Sequence, residues 1–596
     1  MASNFFNKAS LVMVPDAPID GKLPSVKPED RSGDFTFSRG SNLAATRVNK
    51  DSLIEKGREN LLPRSNSFNS APWSTSSSDA TTGQSGYDGT NDAWLLSKTA
   101  INGRAQQNLV ITGVQTFSVY AKAGTNTWMN LFINGSVSPS VFFDLQNGVL
   151  GSVTASTIEA KIVSVGNGWY RCSATFSTTT SRYRIYVSDG DNDNTGASGN
   201  ILIQDAQLEL GLAATDVIES GATTGKAGLL EDEPRFDYSG GGTCPSLLLE
   251  PSRTNLVPYS EYFDAYTKSD TSILTNQAQS PEGLVNASLI AETATNSNHY
   301  LGLTSGISVV SGTTYTFSVF IKKGDGASAP DYCQLTFNSA GFGAIYANFN
   351  LSNGTIGALS GVTPLISDST INGFWRCSIT ATATSTANTG AIVAFTNNND
   401  SLGRLPSYLG NTASDFYAYG FQVEQGSYPT SYIPNHSGGS VTRGADNLTS
   451  TPLSIDGLFG ATSGSVFMEF KNPLQGISNN WFSMTGIAAG AAAYMRVRGY
   501  WQMNIPQLTW NPSPNLGSLD NATKVVVKWG GGVAKLFIDG QEDAATTYTG
   551  GDINMNAALT GLDGSFNFAY NDANFKQILF FQEALSDADC ITLTTL

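Results

Sequence analysis

The chain has 596 residues, 40% of them hydrophobic and only 14% charged, with 61 glycines and a formal net charge of -16. Such a length allows about three or four domains of ordinary size, and low charge with abundant Gly, Ser, Thr and Asn reads as β architecture with polar, uncharged surfaces. The 33 basic against 49 acidic residues exclude a nucleic-acid partner, which needs clustered Lys and Arg, and no run reaches the ~18 apolar residues that membrane insertion requires.

Residues 1–58 carry Pro15, Pro18, Pro24 and Pro28 and little periodicity, so they are expected as an extended N-terminal arm ordered by a partner surface. Met1 to Lys22 has neither the basic start nor the apolar stretch of a secretion signal, which predicts synthesis in a cytoplasm without cleavage. Residues 59–222 read as a β-sandwich: Phe117, Val119 and Ala121 alternate with Thr116, Ser118 and Tyr120, and Asn147-Gly148 marks a hairpin. Residues 223–249, with Glu231-Asp-Glu233 and the Gly-rich Ser239-Gly-Gly-Gly-Thr243, are expected as a linker.

Residues 250–436 repeat the first sandwich. Leu53, Glu55, Arg58, Asn60, Leu61, Pro63, Ser65 and Phe68 match Leu248, Glu250, Arg253, Asn255, Leu256, Pro258, Ser260 and Phe263 at one constant offset. Thr116-Phe-Ser-Val-Tyr120 returns as Thr316-Phe-Ser-Val-Phe320, Gly168-Trp-Tyr-Arg-Cys-Ser173 as Gly373-Phe-Trp-Arg-Cys-Ser378, and Gln207-Leu-Glu-Leu-Gly211 as Gln422-Val-Glu-Gln-Gly426. The offset grows along the chain, as it does when two copies of a domain differ in their loops and keep their strands. Asn353-Gly354 repeats the hairpin signal. Cys172 and Cys377 occupy matching strand positions and read as small buried side chains.

Residues 437–596 form a different module. Val466-Phe-Met-Glu-Phe470 alternates like a sandwich strand, Lys524-Val-Val-Val-Lys-Trp529 and Val533-Ala-Lys-Leu-Phe-Ile-Asp539 flank a glycine turn, and Ser586 is placed to cap a short terminal helix. The closing Ile578-Leu-Phe-Phe581 with Ala584-Leu-Ser-Asp-Ala-Asp589 resembles the concanavalin A-like, laminin-G type jelly roll. The two copies, with their Arg-x-Asn-Leu openings, Arg-Cys-Ser strands and Gln-x-Glu-x-Gly closings, resemble carbohydrate-binding-module-like jelly rolls of bacteriophage tail fibres and other virion appendages. The resemblance implies an all-β fold of tandem jelly-roll β-sandwiches in a virion protein, located on the particle surface in a tail or head appendage. It further implies other virion proteins as partners through the N-terminal arm, a bacterial surface glycan as ligand, and a homo-oligomer, in fibres most often a trimer. The alternative is a decoration protein whose jelly rolls bind only other virion subunits.

Signs of catalysis are sparse, and no enzyme is expected. Only His299 and His436 are available for imidazole chemistry, both in Asn- and Ser-rich surroundings. Glu209 and Glu424 match each other but lie one per copy, so they cannot form a hydrolytic pair; a hydrogen-bond partner such as Arg171 or Arg376 is expected for each. Asp189, Asp191 and Asp193 have the alternate spacing that suits Ca²⁺, but Asn194 and Asn200 stand where an EF-hand needs Gly and Glu, and the matching loop Asn397-Asn-Asn-Asp400 has lost most carboxylates. Neither a metal nor a cofactor is expected. Tyr494, Tyr500, Trp501 and Trp510 cluster in a Gly- and Asn-rich stretch and are the expected glycan contacts, since aromatic faces beside amides suit a sugar ring.

Overall fold

The computed structural model describes the chain except residues 1–2, 16–21, 41–42, 240–243, 369–370, 451–457, 472–481, 489–490, 499, 506–507, 511–521, 550–552, 554–565, 569–572 and 596; along 482–505 it describes the backbone and, of the side chains, Met503 alone. The protein is all-β, and every strand pairing described is antiparallel. It divides into two compact units, one made of 57–228 and 254–441, the other of 1–56, 229–253 and 442–596. No helix among the described residues is long and apolar enough to cross a membrane.

The first of these units holds the two copies, each a sandwich of two six-stranded sheets. In the first copy one sheet runs Ser78–Gln84, Ala93–Lys98, Asn200–Leu210, Val114–Ala123, Trp169–Ser177, Thr157–Gly166. The second copy repeats that order with Thr271–Gln279, Val285–Glu292, Asp415–Gln425, Thr314–Lys323, Trp375–Thr382, Thr363–Asp368. The opposing sheets also agree strand for strand. Register agrees too: Tyr120 lies opposite Arg171, and Phe320 opposite Arg376. Alternation explains the two cores, since Phe117, Val119 and Cys172 point inward in one and Phe317, Val319 and Cys377 in the other.

The repeated motifs turn out to be fastenings. Asn60 Nδ2 donates to the carbonyls of Ala206 (3.1 Å) and Ile218 (3.0 Å), and its Oδ1 accepts from the amides of Leu62 and Leu208. Asn255 does the same with Phe421, Ile433, Val257 and Val423. Each asparagine thus ties the opening of its sandwich to the closing strand while satisfying four buried backbone groups. The hairpins at Asn147-Gly148 and Asn353-Gly354 are present, with Gly148 and Gly354 at φ 67 and 69°. A β-carbon at either would strike an aromatic ring, Tyr170 at 2.5 Å or Trp375 at 2.3 Å.

The other unit corrects the expectation for both ends of the chain. Residues 1–58 do not form a free extended arm: Leu11–Met13 pairs with Ala573–Phe581, Leu11 opposite Phe580, and Phe35–Ser38 pairs with Asn447–Ser450. Leu11, Met13, Leu23, Phe35 and Phe37 are buried with Val466, Met468, Val525 and Phe580 in one core. Residues 223–249 are no mere linker either, because Ser246–Leu249 flanks the other end of the Ala573–Phe581 edge and carries Arg235–Asp237 beside it. Two short segments thereby cover an edge strand that would otherwise expose unpaired backbone. Buried charges hold them: Arg235 pairs with Glu250 (2.6 Å) and Asp446, Arg443 with Glu250 (2.8 Å), and Arg39 with Asp446 (3.3 Å). The terminal helix Asp587–Thr595 starts after Ser586, whose Oγ accepts from the amide of Asp589 (3.0 Å).

Candidate functional site

In both sandwiches the two central strands of the first-named sheet are interrupted by a bulge, between Ser118 and Tyr120 and between Ser318 and Phe320. The residue that makes it is Asp205 in the first copy, at φ 48°, and Gly420 in the second, at φ 69°. Glycine suits this left-handed backbone without cost, and aspartate adopts it too, as Asp232, Asp270 and Asp539 do elsewhere in the chain.

Over the bulge of the first copy lies an aromatic plate. The loop 85–92 brings Tyr87 flat onto Tyr120, centroids 3.7 Å apart and planes within 4°, with the Trp169 edge at 6.4 Å. Polar groups rim the plate. Tyr87 Oη donates to Asp205 (3.0 Å), Gln204 Nε2 to Asp92 (2.9 Å), and Asn66 Nδ2 to Asp92 (3.2 Å). Tyr120 and Trp169 are buried, Tyr87 is half-buried, and Asp88 and Asp92 are exposed. Asp205 is only 8% exposed. Burial pushes its carboxyl up to about 6 against the lowering effect of the Tyr87 hydrogen bond, and Asp92, Asp88 and Glu219 add repulsion. A plate of this kind can take the C–H face of a pyranose while amides and carboxylates meet its hydroxyls.

The same place in the second copy is sealed. Phe320 stands for Tyr120, Tyr419 for Gln204, Glu261 for Asn66 and Asn286 for Asp92, so acid and amide have exchanged positions. Tyr419 Oη lies 2.7 Å from Glu282 and 3.1 Å from Glu261, Tyr432 donates to Glu261 (2.9 Å), and Asn286 reaches both carboxylates. Burial first, and the neighbouring carboxylates next, push both phenols well above the ordinary tyrosine range. Arg58, from the opening strand of the first copy, closes the cluster on Glu282, and His436 Nε2 lies 3.6 Å from Glu261.

Of the residues expected from sequence, Asp189, Asp191 and Asp193 do not converge. Asp189 accepts from Lys98 (2.5 Å), Asp191 from the amide of Ser152 (2.6 Å), and Asp193 from Thr195 (2.8 Å). Asp400 holds the amide of Ala358 as Asp191 holds that of Ser152, so the shared purpose of these loops is to pin a hairpin. Among the described residues no group of His, Cys, Asp and Glu could hold a metal ion. Trp510, expected on the surface, is buried in the core opposite Met503, the inward position of its strand. Tyr494, Tyr500 and Trp501 fall on the strands Ala491–Arg498 and Tyr500–Ile505, and their side chains lie outside the described residues.

Glu209 is bound by Gln207 (2.6 Å) and Thr215, and Glu424 by Gln422 (2.7 Å) and Thr430 (2.9 Å). The arginine expected for Glu209, Arg171, reaches Ser118 (3.2 Å) and lies over the Tyr120 ring; Arg376 does likewise with Ser318 (3.1 Å) and Phe320. His299 is buried between the carbonyls of Asp270 and Tyr408. Sequence reasoning missed Tyr87, Tyr120, Trp169, Gln204 and Asp205. The signal that could have found them is the departure of one copy from the other, Asp205 against Gly420 and a longer loop at 85–92 than at 280–284.

No family model and no curated protein matches the chain. Among solved structures, the CBM40 of the Ruminococcus gnavus IT-sialidase, bound to α2,3 sialyllactose, is 15% identical with a TM-score of 0.21, covering 24% of this chain and 91% of that one. The CBM22-1–CBM22-2 tandem domain of Paenibacillus barcinonensis Xyn10C is 11% identical with a TM-score of 0.20, covering 65% and 100%. The LG1-3 region of the laminin α2 chain is 9% identical with a TM-score of 0.15, covering 83% and 97%.

Proposed function

We propose that the chain is a non-enzymatic glycan-binding subunit of a bacteriophage appendage, a tail or head fibre on the particle surface, and that the outer sheet face of the first sandwich makes the glycan contact. One observation carries the glycan reading: Tyr87, half-buried over Tyr120 and flanked by exposed Asp88 and Asp92, keeps one face accessible in the first copy, while the corresponding face of the second is filled by side chains of this chain. The absence of cleavage is supported by Glu209 and Glu424, each buried and tied to a threonine in its own sandwich. The virion context rests on the resemblance of the repeated motifs, with the unit that contains both chain ends as the part that docks on the particle. Retention of the full chain on host envelope polysaccharide tests this. The expected result is reversible retention, lost in Tyr87→Ala, with no release of reducing ends; depolymerisation, or retention indifferent to Tyr87→Ala, contradicts it.

A second reading has its own support. Val149, Leu150, Val153, Val163 and Val165 are exposed on an edge of the first sandwich, and Ile356, Leu359 and Leu365 on the same edge of the second. A repeated apolar edge suits contact with further subunits, including copies of this chain in a trimer. Self-association lost in Val163→Lys together with Leu365→Lys, without polysaccharide retention in the parent protein, favours a decoration protein.

A further inference from the structure

The second copy shows how this face deals with its own negative charge. Its two buried carboxylates, Glu261 and Glu282, are met by a guanidinium that comes from outside the sandwich, that of Arg58. Without a cation, two buried carboxylates sharing a site are strongly unfavourable.

The first copy carries one buried carboxylate, Asp205, and exposed ones around it, with only neutral donors. Asp205 accepts from the Tyr87 phenol, and Asp92 from Gln204, Asn66 and Thr90. Asp88 accepts from Thr90, and Glu219 stands exposed nearby. Among the described residues no Lys or Arg bonds any of these carboxylates. Arg171 lies over the Tyr120 ring, the place its counterpart Arg376 takes over Phe320 in the copy that still recruits Arg58. Asp205 is more than nine-tenths buried, its second oxygen has no protein hydrogen bond, and it occupies a backbone conformation for which the other copy uses glycine. Desolvation and a free oxygen gathered on one carboxylate, beside an aromatic plate, mark a group kept for a ligand rather than for the fold.

We infer that the first sandwich selects glycans carrying a free, protonated amine, with the sugar ring laid on Tyr87 and its ammonium group set against Asp205 and Asp92 in the place that Arg58 fills in the second sandwich. This rests on the glycan-binding reading and narrows it to amino sugars that are not acetylated. An ammonium brings its charge onto a desolvated carboxylate and an aromatic face together, where both attractions exceed their strength in water. The corresponding N-acetyl sugar presents a neutral amide and gains neither. Protonation of Asp205 removes the attraction, so the preference fades as pH falls through about 6. General attraction between an acidic chain and a cationic glycan persists further, down to the ordinary carboxylate range near about 4.

The test is calorimetric titration of the full chain with the tetramer of glucosamine and, separately, the tetramer of N-acetylglucosamine. At pH 7 the amine form is expected to bind at least about tenfold more tightly, the factor one charge-assisted contact supplies. Asp205→Asn and, independently, Asp92→Asn should each reduce that preference, whereas exposed Asp51→Asn leaves it. Asparagine tolerates the left-handed backbone, so the first variant keeps the fold. Equal binding of both tetramers, abolished by Tyr87→Ala, overturns the amine preference and leaves the glycan reading standing. A preference that survives Asp205→Asn and Asp92→Asn overturns it as general charge attraction. Failure of both tetramers to bind overturns it as well, with polysaccharide retention then deciding the broader reading. Dissociation of an oligomer by Asp205→Asn assigns the face to a basic side chain of another protein and also overturns it.

Discussion

The two sandwiches share strand order, register, bulge and fastening asparagines, yet differ in what lies over the bulge. In the second copy Glu261, Glu282, Tyr419 and Tyr432 are packed out of solvent under Arg58; in the first Gln204 and Asp205 are buried too, but half-buried Tyr87 and exposed Asp88 and Asp92 leave the face accessible. The exchange of acid and amide between Asn66–Asp92 and Glu261–Asn286 keeps a hydrogen bond in each copy while moving the charge. The repeat presents two faces on one scaffold, one used for cohesion within the chain and the other, in the function proposed above, left for a partner. What is held in common therefore reports the fold, and what has diverged is where the proposed function is to be tested.

That contrast can be broken most forcefully at Arg58. Arg58→Met leaves Glu282 and Glu261 buried without their guanidinium, and the full chain should lose about 3–5 kcal/mol in urea unfolding, the usual cost of breaking a buried ion pair. A loss no larger than that of a surface substitution would mean the second face is not sealed by charge.

The fastenings should behave alike in both copies. Asn60→Ala and Asn255→Ala each strand several buried backbone groups, for which a loss of about 2–4 kcal/mol is expected. Amide hydrogen exchange should report each loss in its own sandwich. Unequal losses would show that the repeated asparagines have diverged in role.

At Asp205 the expected change has the opposite sign. Its carboxyl is pushed above the unfolded value, so the folded state holds the proton more tightly, and stability from this group falls as pH rises from about 4 to about 6. Asp205→Asn should therefore stabilise the protein at pH 7 by up to about 3 kcal/mol and change little at pH 4. Stability that rises when glycan binding falls is the pattern of a site held at the expense of the fold. Destabilisation at pH 7 would make Asp205 a structural residue.

Much of the fold was legible in the sequence because the repeat fixed it: two chemically similar strands in a constant order determine a sandwich twice over. The ends of the chain were not. Leu11–Met13 and Phe35–Ser38 are too short for alternation to register, and their partners lie in Ala573–Phe581 and Asn447–Ser450, hundreds of residues away. The candidate site was illegible for a related reason. Tyr87, Tyr120, Trp169 and Asp205 come from four separate strands and loops, whereas the aromatics close together in sequence belong to three consecutive strands of one sheet, in which Trp510 faces the core.

Oxidative footprinting of the full chain, with and without host polysaccharide, tests the central contrast most directly. Tyr87 should be modified readily and protected by the polysaccharide, while Tyr419 and Tyr432 stay unmodified in both states. Modification of Tyr419 and Tyr432 in the free protein, or protection that appears there and not at Tyr87, would contradict the assignment of an open face to the first sandwich and a sealed one to the second.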